Sequence, residues 1–285
     1  MKEKFTWMDA VIYAVLFLVL ISVLYPILHV VAVSFSSSSA VVQNEVSIFP
    51  KGFTLDAYRQ LFSSGKIPRA YINTLIYTAL GTFINVVASV LTAYPLSRPR
   101  MTGKNIFMGL ILFTMFFNGG TIPTYIVVQE LGLRNTIWSM VLPNAIWTME
   151  LLILISFFRS VPQALYESAV LDGASEFTIL FRIFVPLSKA SLASVGLFYF
   201  MGHWNSYFLP LLYLDDQKLY PLQLVLKDML MDESSTISNM ITTSAVTNTS
   251  LKNAVIFITM VPVMIVYPLV QKYFVKGVMI GSVKG

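Results

Sequence analysis

Apolar runs long enough to cross a bilayer recur six times along this chain, near residues 10–33, 71–96, 106–127, 137–158, 191–214 and 251–273. A helical span needs about 20 predominantly apolar residues. With no water in the bilayer core, lipid-facing backbone must satisfy its own polar groups. The expectation is therefore an all-α polytopic membrane protein of six transmembrane helices, with residues 1–285 forming one transmembrane domain. Only 12% of the residues are charged, against about 25% in soluble domains, as suits a chain whose main solvent is lipid. The first run exceeds the apolar stretch of a secretory signal and reads as a retained span.

Charge supplies the orientation. With the N-terminus inside, cytoplasmic segments hold Lys2, Lys4, Arg98, Arg100, Lys104, Arg159, Arg182, Lys189, Lys272, Lys276 and Lys284. Five acids accompany these eleven bases: Glu3, Asp9, Glu167, Asp172 and Glu176. External segments hold eight of each sign. Lys and Arg in short loops set topology, and the 98–104 loop carries three bases. Both termini are expected inside, in a cytoplasmic (inner or plasma) membrane. The net charge of +5 follows from this bias and calls for no nucleic acid.

Several chemistries are excluded. Cysteine is absent, so disulfides, thiolate catalysis and Cys-based metal sites are not available. The two histidines, His29 and His203, lie in separate apolar runs with no metal-ligand spacing between them. No phosphate-binding G-x-x-x-x-G-K-[ST] loop occurs, so the chain cannot hydrolyse ATP by itself.

Between the spans, the segment 34–69 opens with Ser36-Ser37-Ser38-Ser39, expected to be flexible, and continues to Thr54-Leu55-Asp56-Ala57-Tyr58. Thr54 is an expected N-cap of a short amphipathic helix with Leu55, Tyr58 and Phe62 on one face. Asn118-Gly119-Gly120-Thr121-Ile122-Pro123 should break or end the third span. The segment 215–250 reads as a long polar loop. In residues 159–189, Pro162 suits the start of a helix and Asp172-Gly173 its end. Ser175 can cap a second helix, which Pro186 should close. Two short helices in a hinge-like pair form a compact knob.

That knob carries a spaced motif: Glu167-Ser168-Ala169, then Gly173, then Ile183-Phe184-Val185-Pro186. It resembles the EAA loop of permease subunits in binding-protein-dependent ABC importers, with Ser168 and Val185 as conservative departures. Phe53 to Tyr58, Asn73-Thr74-Leu75, Asp172-Gly173-Ala174, Trp204-Asn205 and Val283-Lys284-Gly285 extend the resemblance to the carbohydrate-uptake class, including the smaller permease subunit of the maltose importer. Gly119 to Tyr125, Gly202 to Ser206 and Tyr220-Pro221-Leu222-Gln223 resemble a branch for complex, including uronate-containing, oligosaccharides.

The resemblance implies the type I ABC importer transmembrane fold, with residues 159–189 as the loop that docks on a separate ATPase. Glu167 would make the charged contact, while Ser168, Ala169, Gly173 and Ala174 would allow close approach. Asp172, Ile183 and Pro186 complete the coupling set, and the tail residues Lys284 and Gly285 would reach between the ATPases. Implied partners are a second related permease, two ATPase subunits and an extracytoplasmic solute-binding protein, the last touching 34–69 and 215–250. No cofactor is expected on this chain, since ATP and Mg would be held by the ATPases.

Intramembrane polar residues are functional candidates by default. Glu150 is the one acid deep in a span. Asn144, Trp147 and Glu150 recur at helical spacing, a stripe suited to sugar hydroxyls and sugar faces. A second cluster is His203, Trp204, Asn205 and Tyr207, with Asn118 and Tyr125 as further pathway candidates. The alternative that the polar residues themselves leave open is a proton-coupled secondary sugar transporter using Glu150 and a histidine. A membrane enzyme built on His29, His203 and Glu150 would need residues that no motif joins.

Overall fold

The computed structural model describes residues 6–231 and 246–282, with residues 272–282 as backbone alone. Among the described residues all regular structure is helical. The tail residues Lys284 and Gly285, and the acids Asp232 and Glu233 of the expected 215–250 loop, lie outside them.

Three helices are long and apolar enough to cross a membrane unbroken: α1 (Trp7–Ser34), α4 (Lys66–Ser97) and the stretch Asn248–Gln271 of the last helix. Three further candidates are bent pairs. These are α5 (Lys104–Phe116) with α6 (Thr121–Glu130) at 115°, α8 (Thr148–Ser160) with α9 (Gln163–Leu171) at 71°, and α10 (Glu176–Leu187) with α11 (Lys189–Trp204) at 83°.

The chain divides into two compact units. The first comprises residues 1–69 and 225–262. Its serine run is ordered, contrary to the expectation of flexibility, because each hydroxyl has a structural task. Ser36 donates to the Ala32 carbonyl at 2.6 Å and accepts from the Lys51 amide. Ser37 caps α2 (Ser38–Val42). α3 (Asp56–Ser63) forms as expected, but its N-cap is Leu55 and not Thr54, one residue earlier, whose hydroxyl accepts the Asp56 amide at 3.2 Å. Its buried face differs, however. Ala57 and Leu61 are inside, whereas Leu55 and Phe62 are exposed. Tyr58 joins the inside by stacking on Phe35 (4.8 Å) and donating to Ser34 (2.7 Å). With Tyr58 held this way and Ala57 and Leu61 buried, the helix is rotated away from the face that the apolar pattern predicts.

The second unit comprises residues 70–224 and 263–285. Here the expected fourth span, 137–158, is not one helix. A single turn, α7 (Trp138–Val141), is followed by non-helical residues 142–147 before α8 begins. Pro143 cannot donate to a helical ladder. The freed backbone is satisfied by protein: the buried Asn85 side chain donates to the Asn144 carbonyl at 2.6 Å. The expected fifth span likewise stops at Trp204 and resumes as α12 (Phe208–Tyr213).

The expected polar loop after residue 214 is also partly folded. Arg134 pairs with Asp215 at 2.7 Å, and the Asn135 side chain accepts the amides of Asp215 and Asp216. Beyond a short 3-10 turn the chain forms α13 (Leu222–Met231). Asn73, Thr74 and Tyr77 of α4 hold this return: Asn73 donates to the Lys218 and Tyr220 carbonyls, Tyr77 to the Leu219 carbonyl, and Thr74 accepts the Leu222 amide. The Asn73-Thr74-Leu75 and Tyr220-Pro221-Leu222 motifs are thus two halves of one junction.

Candidate functional site

The 163–187 segment forms the expected two-helix knob. α9 ends on Asp172, with Gly173 at φ 75°. The Ala174 amide returns to the Ala169 carbonyl and the Gly173 amide to Val170, each at 3.0 Å. This doubly bonded, left-handed helix end favours glycine because a β-carbon there is strained. Ser175 caps α10 by accepting the Thr178 amide. Residues 180–184 form a π-helical turn, a local widening that often marks functional positions. Pro186 lies inside α10 rather than ending it, and the sharp bend follows at Ser188. A proline needs no amide partner in a first turn, and the 185–187 turn starts at Val185.

The knob has two faces. Ala169, Ile179, Leu180 and Phe184 are buried in one cluster with Tyr94, Leu96, Leu154 and Phe158, and Ala174 and Ile183 pack against it. Glu167, Ser168, Asp172 and Gly173 are exposed, as are Val170, Phe177 and Leu171, the last at 88%. The knob therefore shows one acidic and apolar surface while its other face packs on the ends of α4 and α8.

The grip centres on Arg98, at the end of α4. Its guanidinium lies over the rings of Phe184, Tyr166 and Tyr94, at 4.1, 4.6 and 5.3 Å from their centroids. Glu176, at the start of α10, accepts from the Tyr94 hydroxyl at 2.5 Å and from the Tyr166 hydroxyl at 2.8 Å. The Glu176 hydrogen bond, then burial, raise the Tyr166 phenol above its ordinary pKa. Burial draws the Arg98 guanidinium below its usual value, although this group keeps its charge at any physiological pH. Sequence reading counted Arg98 and Glu176 only as topogenic charges; no local signal links residues this far apart.

The intramembrane candidates separate into three groups. Asn144 and Trp147 lie in the non-helical stretch and Glu150 in the first turn of α8, so the three do not form a helical stripe. Asn144 instead joins Asn118 in a cavity of about 180 Å³, with Thr121, Thr124 and Phe208 in its wall. The Asn118 side chain accepts the Gly120 amide at 2.8 Å, which holds the break between α5 and α6.

The second group is packed together. The His203 ring nitrogen Nε2 is 2.7 Å from Asn85 Oδ1, and Trp147 contacts both Tyr199 and His203. Tyr199 and Ser89 share a buried hydrogen bond at 2.6 Å. Gly202 leaves no space at this point: a β-carbon there would fall 1.9 Å from the Trp147 ring. Gly202 enters the sequence reading only as part of the 202–206 motif, and Asn85, Ser89 and Tyr199 are not candidates on sequence grounds. Their helices are apolar overall, and single polar residues in them carried no spacing.

The third group consists of residues placed elsewhere. Trp204 is buried between Tyr71 and Phe200. Tyr125 stacks on Tyr213 beneath Arg134. Asn205 donates to the Met201 carbonyl and Tyr207 is exposed.

Comparison with known proteins covers nearly the whole chain. No protein-family profile matches it. The chain is 39% identical over 280 residues to the polygalacturonan/rhamnogalacturonan transport system permease protein of Bacillus subtilis, covering 97% of this chain and 98% of that one. It is 26% identical over 277 residues to the arabinooligosaccharides transport system permease protein of the same organism, covering 95% and 94%. Among solved structures, a chain of a bacterial ABC transporter involved in the import of the acidic polysaccharide alginate superposes with a TM-score of 0.90. Its sequence is 31% identical, and the match covers 96% of this chain and all of that one. With this helical fold and these full-length relatives, the chain belongs to the permease family of carbohydrate ABC importers, multi-pass proteins of the membrane.

Proposed function

We propose that this chain is one of two related permease subunits in an ATP-driven importer that carries an oligosaccharide containing uronate units across the cytoplasmic membrane by alternating access. The observation that carries the coupling half of this reading is the two-faced knob: Glu167 exposed, Ala169 buried, and Gly173 ending α9 between them. Both termini and the knob face the cytoplasm in this reading. Two ATPase subunits bind the exposed face of the knob and hold ATP and Mg, so this chain carries no cofactor. Lys284 and Gly285 extend that contact. ATPase closure pulls the knob, and the Arg98 clasp passes the displacement to α4.

An external binding protein delivers the sugar. The path runs past Asn118 and Asn144, whose amides can donate to and accept from sugar hydroxyls, with Phe208 offering a ring to a C–H face. Acidic cargo is inferred from what the polygalacturonan/rhamnogalacturonan and alginate relatives are named for. The proton-coupled alternative finds no support in the histidines, since His203 bonds an amide and His29 Nδ1 lies 2.8 Å from the Ser47 carbonyl.

The test is uptake by the complete importer in proteoliposomes, supplied with galacturonate oligosaccharides and, separately, neutral ones of equal length. Uptake should persist when the proton gradient is collapsed and stop when ATP is removed. Gradient-dependent uptake would refute the coupling reading, and preference for the neutral series would refute the cargo reading.

A further inference from the structure

Beside the knob lies a second concavity, of about 480 Å³, that the transport reading does not use. Three bases line it: Arg98 after α4, Lys104 at the start of α5 and Arg159 in the last turn of α8. Ser97, Asn105 and Gln163 add neutral polar groups, and no carboxylate lines the cavity. Among the described residues, none of the three bases is in an ion pair. Lys104 instead donates to the Arg98 carbonyl at 3.1 Å, which draws its charge towards the other two. Glu176, the acid that interacts with Arg98, is occupied by two tyrosine hydroxyls.

Like charges facing one cavity repel, and the fold has brought them together from three separate helix ends. Positive-inside bias accounts for bases near a membrane surface but not for their convergence on a single concavity. The volume is in the range of small-ligand sites, about 300–1,000 Å³. The position, where the ends of three helices from candidate spans meet, is where basic pockets take anionic lipid headgroups.

We propose that this pocket binds a phosphate-bearing anion, held by Lys104 and Arg159, with the charge of the clasped Arg98 beside them. The phosphate group is the recognised chemistry, whether it belongs to an acidic phospholipid or is free in solution. Bound there, it neutralises the three bases and ties α5 and α8 to the root of α4, beside the knob.

The test uses the complete importer, in nanodiscs of phosphatidylcholine alone or mixed with phosphatidylglycerol. Native mass spectrometry after release reads which lipid stays bound. Phosphatidylglycerol should be retained over phosphatidylcholine, and Lys104→Gln or Arg159→Gln should each lower that retention about fivefold, the scale of one base near an anionic headgroup. Arg159→Lys should restore most of it. In the phosphatidylcholine discs, inorganic phosphate is titrated while thermal stability is followed. A saturable shift abolished by the same two variants would assign the free ion as the source. Assembly is checked by the ATPase that co-purifies. Lipid retention and phosphate response both unchanged in the variants would overturn the proposal. So would loss of ATPase with unaltered lipid retention, which would give the pocket to a protein carboxylate.

Discussion

The guanidinium carbon of Arg98 stands 4.1 Å from the centroid of the Phe184 ring. Arg98 directly follows α4, a candidate membrane span, and Phe184 sits in the π-helical turn of the knob, so this stacking joins the two directly. A cation over aromatic rings contributes about 2 kcal/mol when desolvated, and Arg98 has three such rings. Two of its nitrogens, Nε and Nη1, are buried without hydrogen-bond partners. Shape and π-contact, rather than an ion pair, therefore hold the joint.

Arg98→Leu should uncouple the machine while leaving it assembled. The expected result is ATPase retained on purification, with the ratio of sugar-stimulated to basal hydrolysis reduced about tenfold, corresponding to ~1.4 kcal/mol of lost coupling. Arg98→Lys should recover only part, because an ammonium lacks the planar face that stacks on rings. An unchanged ratio in both variants would mean that the joint transmits nothing.

Gly173→Val should weaken the knob by about 1–2 kcal/mol, since a branched side chain is strained at φ 75°. Open space surrounds this position, so crowding within the chain contributes nothing. Gly173→Asn should cost less, as asparagine tolerates the left-handed region. Pull-down of the ATPase, quantified across the two variants, checks the order. Glu167→Lys should release the ATPase without altering membrane insertion.

Gly202→Ala should destabilise the bundle by about 1–3 kcal/mol through overpacking against the Trp147 ring. The partner change Trp147→Phe removes the clashing part of the indole. The double variant should accordingly be more stable than Gly202→Ala alone in a thermal unfolding scan of the purified importer.

Asn85→Leu deprives both the His203 ring and the Asn144 carbonyl of their partners. Both groups are only part-buried, so each lost hydrogen bond costs about 1 kcal/mol, and the variant should unfold at lower temperature and hold the 142–147 stretch less firmly. Faster cleavage there by an added protease is the local readout.

Asn118→Ala should raise the sugar concentration needed for half-maximal uptake about tenfold, the scale of one lost hydrogen bond to a sugar hydroxyl. Glu150→Ala serves as a comparison from outside that cavity. It should lower sugar-stimulated hydrolysis if Glu150 also meets cargo, and unchanged rates would remove it from the path.

Local chemistry made much of this molecule readable in one dimension. The apolar runs announced helices because lipid forbids unsatisfied backbone. Ser175 and Gly173 marked helix ends because a cap hydroxyl and a left-handed residue act within one turn of chain. Hydropathy could not show that residues 142–147 leave the helix, since an apolar segment reads the same whether lipid or a buried Asn85 surrounds it. Nor could charge counting separate Arg98, clasped by rings up to 86 positions along the chain, from a base that merely faces water. Those two features depend on which side chains meet after folding, and long-range packing alone decides that.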